Sequence, residues 1–339
     1  MSSIGKALAG LLVIALVAAG FGYWRITGTS KKLTLQQLEE VYKLPNSQFT
    51  EIDGIRVHYA EDGAKDLPAL VLIHASYMNL RTWDQLVKDL SPKFHIVRLD
   101  LLTAGLTGPD PKNDYSTERH LMMVDELTRR LGLEKFSLLG TSSGATVAFR
   151  YAAEHPDRVT RLVLINSAGL PRTAQTDPNR AKGDALNRWI ESHHKSHAYW
   201  HDNLYANFGS IPPTDELVKM VYDMNRRVGL EREALIYLRN YHNGGPQAAL
   251  EKITAPTLIL WGLKNPTVVH LEADVFQLWL KNAPTRVIKY PDVSHYMYLE
   301  IPNKINADIA AFVGGEMDGE LRYLRREPYV ATMTETKAR

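Results

Sequence analysis

No cysteine occurs in the 339-residue chain, which excludes disulfides, thiolate metal sites and a cysteine nucleophile. Neither charge is in excess: 40 Lys+Arg stand against 38 Asp+Glu, a formal net charge of +2. Nucleic-acid binding needs a basic surface, and this balance offers none. Internal repeats and low-complexity tracts are lacking as well. What remains is an ordinary globular mixture, 45% hydrophobic and 23% charged, long enough for two domains or one large α/β domain with an insertion.

One segment departs from that mixture. Ala7 to Trp24 are 18 consecutive uncharged residues, mostly Leu, Val, Ile and Ala, between Lys6 and Arg25. As a helix they span about 27 Å, close to the hydrocarbon core of a bilayer. Tyr23 and Trp24 lie where interfacial aromatics anchor such a helix. The expectation is a single-pass N-terminal transmembrane anchor over 1–25, with the bilayer as a partner and the membrane as location, on a side left open. A cleaved signal peptide is the alternative, because Val17-Ala18-Ala19 offers small residues at a cleavage point.

Residues 26–46 read as a linker in which Leu33, Leu35 and Leu38 form one apolar turn. Asp53-Gly54, between the β-prone runs 49–52 and 55–59, signals a hairpin, since a type I′ turn needs positive φ at both central residues. Apolar runs at 70–73, 96–99, 136–139, 162–165, 257–261 and 287–290 then alternate with helical spacing at 82–90, 118–131, 145–155, 271–281 and 304–313. That alternation predicts βαβ units: a mostly parallel central sheet with helices on both faces. It breaks over 169–253, which holds helical segments but no strand and reads as a helical cap. Thr214 is placed to cap a helix from Asp215. The cap's aromatic residues can line an apolar pocket, although most are expected in its own core. The core is thus 47–168 and 254–314, followed by a polar tail over 315–339 that includes Arg322, Arg325 and Arg326.

Gly140-Thr141-Ser142-Ser143-Gly144 follows one strand run and precedes a helical one. In that setting the pattern is a nucleophile elbow: small flanks permit the tight turn that lifts Ser142 above the sheet, and the helix start aims N–H groups at developing negative charge. A serine hydroxyl needs a base. His295, just after the last strand run, stands where ligands bind in such sheets, beyond the carboxyl ends of the strands. His193, His197 and His201 fall at i, i+4 and i+8 and on a helix would share a face able to hold Zn²⁺ or Ni²⁺. Surface histidines are the commoner outcome, and no metal or cofactor is assigned.

Residues 46–313 resemble the α/β-hydrolase superfamily, particularly esterases and lipases with a helical cap. Leu138–Gly144, His155–Val159 and Leu162–Gly169 look like that family's elbow, helix and next strand. Val71–His74 resembles its oxyanion strand, and Pro256–Gly262 its acid-bearing strand. With the expected anchor, the layout is similar to membrane-bound monoacylglycerol lipases. The resemblance implies Ser142 as nucleophile, His295 as base, and Ser143 N–H and Ser76 N–H as oxyanion donors. It also implies an acid in Trp-Gly-x-x-Asp, where this chain reads Trp261-Gly-Leu-Lys-Asn265.

Asn265 accepts a hydrogen bond from His295 in that position but supplies no charge. The alternative acid position carries Asn166, Asp292 is expected to shape its turn, and Glu272 and Asp274 belong to a departing helix. Two further positions depart from the family pattern: His74-Ala75 replaces His-Gly, and Asp100-Leu-Leu-Thr-Ala-Gly105 replaces Asp-x-Pro-Gly-x-Gly. The leading expectation is a membrane-anchored serine hydrolase cleaving a small-molecule carboxylic ester, lipid-like in character. The alternatives are a catalytically impaired binding or scaffold protein on the same fold, and a C–C bond hydrolase using the same residues.

Overall fold

The computed structural model describes residues 3–28, 30–171, 188–240 and 244–324, with side chains from Leu11 onward. Helices α1 (Ser3–Ile26) and α2 (Leu35–Tyr42) precede the hairpin of β1 (Ser47–Ile52) and β2 (Ile55–Asp62). Asp53 and Gly54 take φ of 47° and 83°, the turn conformation that Asp-Gly favours. The chain continues through β3 (Ala69–Ile73), α3 (Asp84–Leu90), β4 (His95–Leu99), α4 (Thr117–Arg130), β5 (Phe136–Thr141), α5 (Ser143–Glu154) and β6 (Val159–Ile165).

After described helical residues at 188–191 come α6 (His197–Ala206), α7 (Asp215–Met224), α8 (Leu230–Asn240) and α9 (Pro246–Leu250). Thr214 caps α7 by accepting from Leu217 N–H at 3.2 Å. The last part comprises β7 (Thr257–Gly262), α10 (Leu271–Trp279), β8 (Thr285–Tyr290), α11 (Met297–Glu300) and α12 (Pro302–Val313).

The eight described strands form one sheet in the order β1-β2-β4-β3-β5-β6-β7-β8. β2 pairs antiparallel with both β1 and β4, and every other pairing is parallel. Alternate residues face opposite layers, as the period of two requires. Val71, Leu138, Leu164 and Trp261 pack with α4, α5 and α10, whereas Leu70, Leu72, Leu139 and Leu260 pack with α3, α12 and the insertion residues Trp200, Leu204 and Val221. The strands are near-continuous apolar runs because both faces are covered.

The transmembrane anchor and membrane location expected for the N-terminus need correcting. Among the described residues, no helix is long and apolar enough to cross a membrane. In α1, the apolar side chains described between Leu11 and Trp24 are mostly exposed. Its C-terminal end is joined to the insertion instead. Arg25 makes two hydrogen bonds to Asp202, at 3.0 and 2.9 Å, and Ser196 Oγ donates to the Arg25 carbonyl.

Candidate active site

Ser142 stands between the end of β5 and the first turn of α5, with φ 52° and ψ −122°. A positive φ is costly for any residue but glycine, and such strain persists only where its surroundings impose it. Here the flanking glycines permit the close backbone approach that goes with it. A Cβ at Gly140 would lie 2.5 Å from Gly144 O, and one at Gly144 would lie 2.3 Å from His74 O. Ser142 N–H donates to Ile165 O at 3.0 Å, and its carbonyl accepts from Ala168 N–H at 3.0 Å. The elbow is therefore pinned to the start of the insertion.

His295 lies in the loop after β8, and its ring is buried. Its Nδ1 is 3.2 Å from Asn265 Oδ1. Thr267 N–H and Val268 N–H donate to the same oxygen, at 2.9 and 3.2 Å. Two backbone donors aimed at one amide atom identify it as the oxygen, which can only accept. The proton of neutral His295 then sits on Nδ1, leaving Nε2 with the lone pair a base needs. Burial pushes the His295 ring down to about 4, and no neighbouring carboxylate opposes it. Asn265 Nδ2 is buried without a partner. No hydrogen bond joins Ser142 to His295 among the described residues.

Asn166, weighed from sequence only as an acid position, does other work. Its Nδ2 donates to the carbonyls of Ser294 (2.9 Å) and His295 (2.8 Å), while its Oδ1 accepts from Gly262 N–H at 2.9 Å. It thereby ties the ends of β6 and β7 to the histidine loop. Glu300 fixes the same loop from the other side, accepting from Ser294 N–H and Gly209 N–H, both at 2.8 Å. Asp292 Oδ1 is 3.2 Å from Lys264, and Asp274 bonds Lys289 on the surface. No carboxylate stands in for Asn265 among the described residues.

In the loop after β3, Ser76 N–H and Ser76 Oγ both donate to Ser143 Oγ, each at 2.8 Å. The expected backbone donor is thus engaged by the hydroxyl next to Ser142, a contact the motif alone does not disclose. Ala75 is compatible with the loop because the positive φ falls at Tyr77, at 66°. Asp100 anchors the neighbouring loop by accepting from Leu80 N–H and Leu106 N–H, both at 2.7 Å. Gly105 is required there, since a Cβ would lie 2.0 Å from Asp100 Oδ2.

Two adjoining cavities of about 50 and 20 Å³ lie against this loop, and Ser76, Tyr77, Thr103 and Tyr237 line both. Ser143 faces the smaller one, while Glu191, Lys195, Trp200 and Asn225 line the larger. Of the insertion's aromatic residues, Trp200 and Tyr237 thus reach these two cavities, whereas Phe208 and Tyr222 are buried elsewhere and Tyr205 is exposed. The three-histidine face does not form. Helix α6 starts at His197, and His193 Nδ1 sits 2.7 Å from Trp189 O outside it. Among the described residues no group of three or more metal-ligating side chains comes together.

Comparison with known proteins agrees with this architecture. The family model for the alpha/beta hydrolase fold matches residues 68–302. Epoxide hydrolase 3 of Xenopus tropicalis is 26% identical over 278 residues, covering 77% of this chain and 75% of that protein. Among solved structures, a membrane phospholipase A described as a bacterial virulence factor superposes with a TM-score of 0.70 at 23% identity. That match covers 92% of this chain and 98% of the other. The enol-lactonase of Burkholderia xenovorans LB400 gives 0.65 at 20% identity, over 79% of this chain and all (100%) of its own. At these identities the structures speak for the fold alone.

Proposed function

The chain belongs to the α/β-hydrolase fold family, a hydrolase by its family and relatives, and on that basis we propose that it is a serine hydrolase cleaving a small-molecule carboxylic ester. The observation that carries this reading is the strained backbone at Ser142, held between two glycines that admit no side chain. Such strain is maintained where it serves a site. In the proposed reaction, His295 Nε2 takes the hydroxyl proton as Ser142 Oγ attacks the carbonyl carbon. The carbonyl oxygen, now negative, is held by Ser143 N–H at the start of α5 and by Ser76 N–H once Ser143 Oγ releases it. His295 then returns the proton to the departing alcohol, leaving an acyl-serine. Water, activated by the same nitrogen, hydrolyses that ester and regenerates Ser142.

Asn265 serves this scheme as an orienting group. In the serine-protease triad, Asp-to-Asn leaves the histidine in the wrong tautomer and costs about 10⁴-fold in turnover. Here the backbone donors at Thr267 and Val268 turn the amide oxygen toward His295, which preserves the tautomer and forgoes only the charge. A lipid-like ester is compatible with the apolar walls supplied by Trp200, Leu230 and Leu238. The enol-lactonase among the structural neighbours is a precedent for ester chemistry on this fold.

The second reading, a non-catalytic binding protein, draws on the missing carboxylate and on Ser76 N–H being already engaged. Covalent labelling by a fluorophosphonate, read by intact mass, separates the two. One adduct that disappears in Ser142→Ala supports the hydrolase; no adduct after prolonged incubation removes it in favour of the binding protein.

A further inference from the structure

The larger cavity beside Ser76 contains a charged pair that the reaction above does not use. Lys195 Nζ donates to Glu191 Oε2 at 2.8 Å, and Tyr77 OH donates to Glu191 Oε1 at 2.9 Å. The two charged side chains are only 7% and 8% exposed. A buried ion pair adds little to stability, because desolvation offsets the attraction. This one nevertheless sits on a deliberately held backbone. Gly28 N–H donates to His194 O at 2.6 Å, and Ser196 N–H donates to Ile26 O at 2.8 Å. A Cβ at Gly28 would lie 2.8 Å from Lys195 O, so the N-terminal strap presses directly on the segment carrying the lysine.

The hydrogen-bonding capacity of the cavity is not exhausted. An ammonium has three N–H donors, and among the described residues Lys195 places only one, on Glu191. Asn225 gives its amide protons to Tyr77 O and Val221 O, both at 2.8 Å, which leaves its Oδ1 as an acceptor. Glu191 retains lone pairs beside Lys195. The other charged lining residue, Glu231, is 2.8 Å from Lys32, so the cavity carries no net charge. An anion drawn to Lys195 would meet the Glu191 carboxylate next to it, and a cation drawn to Glu191 would meet Lys195. A neutral hydroxyl satisfies both, accepting from the ammonium and donating to the carboxylate.

We propose that this cavity is the subsite for an uncharged, hydroxyl-bearing part of the substrate, with Lys195 and Glu191 as its specificity-determining pair. Ser76 lines this cavity and bonds Ser143, the residue after Ser142, so a group seated here lies toward the loop proposed to hold the carbonyl oxygen. The assignment rests on the serine-hydrolase reading for which bond is cleaved, but binding can be measured apart from cleavage.

The test is calorimetric titration of the Ser142→Ala protein with butyl butyrate, hydroxybutyl butyrate, butyl hydroxybutyrate and the anionic half-ester butyl succinate. One of the two hydroxylated esters should bind about 10- to 100-fold tighter than butyl butyrate, the range expected for a hydrogen bond to charged groups. That preference should vanish when Lys195→Met and Glu191→Leu are combined. The double variant removes both charges together and leaves neither unpaired, so the fold should survive, with thermal unfolding as the check. Equal affinity for all three uncharged esters, tighter binding of the half-ester, or a preference that persists in the double variant would each overturn the subsite. Fluorophosphonate labelling of the unaltered protein reports on the other reading. Labelling with no hydroxyl preference overturns the subsite alone, and a hydroxyl preference without labelling overturns only the serine-hydrolase mechanism.

Discussion

Two buried histidines among the described residues each bond through Nδ1 to a side-chain oxygen, and they contrast instructively. His58 on β2 is 2.7 Å from Asp100 Oδ2, and its Nε2 is 2.7 Å from Ser47 Oγ, a complete Ser-His-Asp chain. His295 has only the neutral Asn265, at 3.2 Å, and no bond to Ser142. By residue type the first set is the better triad. Yet Ser47 sits on extended backbone at the sheet's edge and accepts from Leu44 N–H at 2.9 Å, whereas Ser142 heads a helix on strained backbone, next to Ser143 at the smaller cavity. Asp100 is committed to holding loops through two backbone donors. A triad's residues make a site only where the nucleophile is presented and oxyanion donors and space converge on it.

The comparison breaks most directly at the two serines. Ser142→Ala should abolish labelling and reduce ester hydrolysis by at least about 10³-fold, while Ser47→Ala should leave both unchanged in the same kinetic assay. Asp100→Asn should act on stability instead. It replaces one of the carboxylate oxygens receiving Leu80, Leu106 and His58 by an NH₂ that cannot accept, costing about 3 kcal/mol in denaturant unfolding. A loss of activity at full stability would contradict the structural role given to Asp100.

Asn265→Asp should raise kcat/KM by about 10- to 100-fold, because it adds the charge that stabilises the imidazolium while the tautomer is already correct. It should also shift the pH profile. Burial lowers the His295 ring to about 4, so the ring stays deprotonated and activity should persist as pH falls toward that value. A carboxylate at 265 favours the protonated ring and should move the acid limb upward. The same lowered value implies that the unfolded chain takes up the proton first. His295 therefore costs no stability above about pH 6.5 and progressively more as pH falls toward 4. An acid limb that does not move in Asn265→Asp would show that another group controls it. The smallest effect belongs to Ser143→Ala, which frees Ser76 N–H. Releasing one neutral hydrogen bond of about 1 kcal/mol should raise kcat/KM about fivefold.

Much of the fold was legible in order and period. The Asp53-Gly54 hairpin, the alternation that builds the parallel sheet, the Thr214 cap and the elbow around Ser142 all arise from neighbours within a few residues, where propensity and turn chemistry act directly. The N-terminal run was misleading for a related reason. Hydropathy records how apolar a segment is but not what it meets, and the partner of Arg25 is Asp202, far along the chain. Ala75 and the altered loop after Asp100 looked like departures from a pattern, yet backbone angles and the retained Gly105 accommodate both.

By itself, then, the sequence determined the layered sheet, the strand ends at which Ser142 and His295 stand, and the absence of charge at position 265. Tertiary structure alone decided that Asn265 turns its oxygen to His295, that Asn166 secures the histidine loop, that Ser143 engages Ser76, and that Tyr77 meets Glu191 and Lys195 in one cavity. Those contacts join residues remote in sequence, and their geometry is set by how strand ends and the helical insertion converge, which no local period encodes.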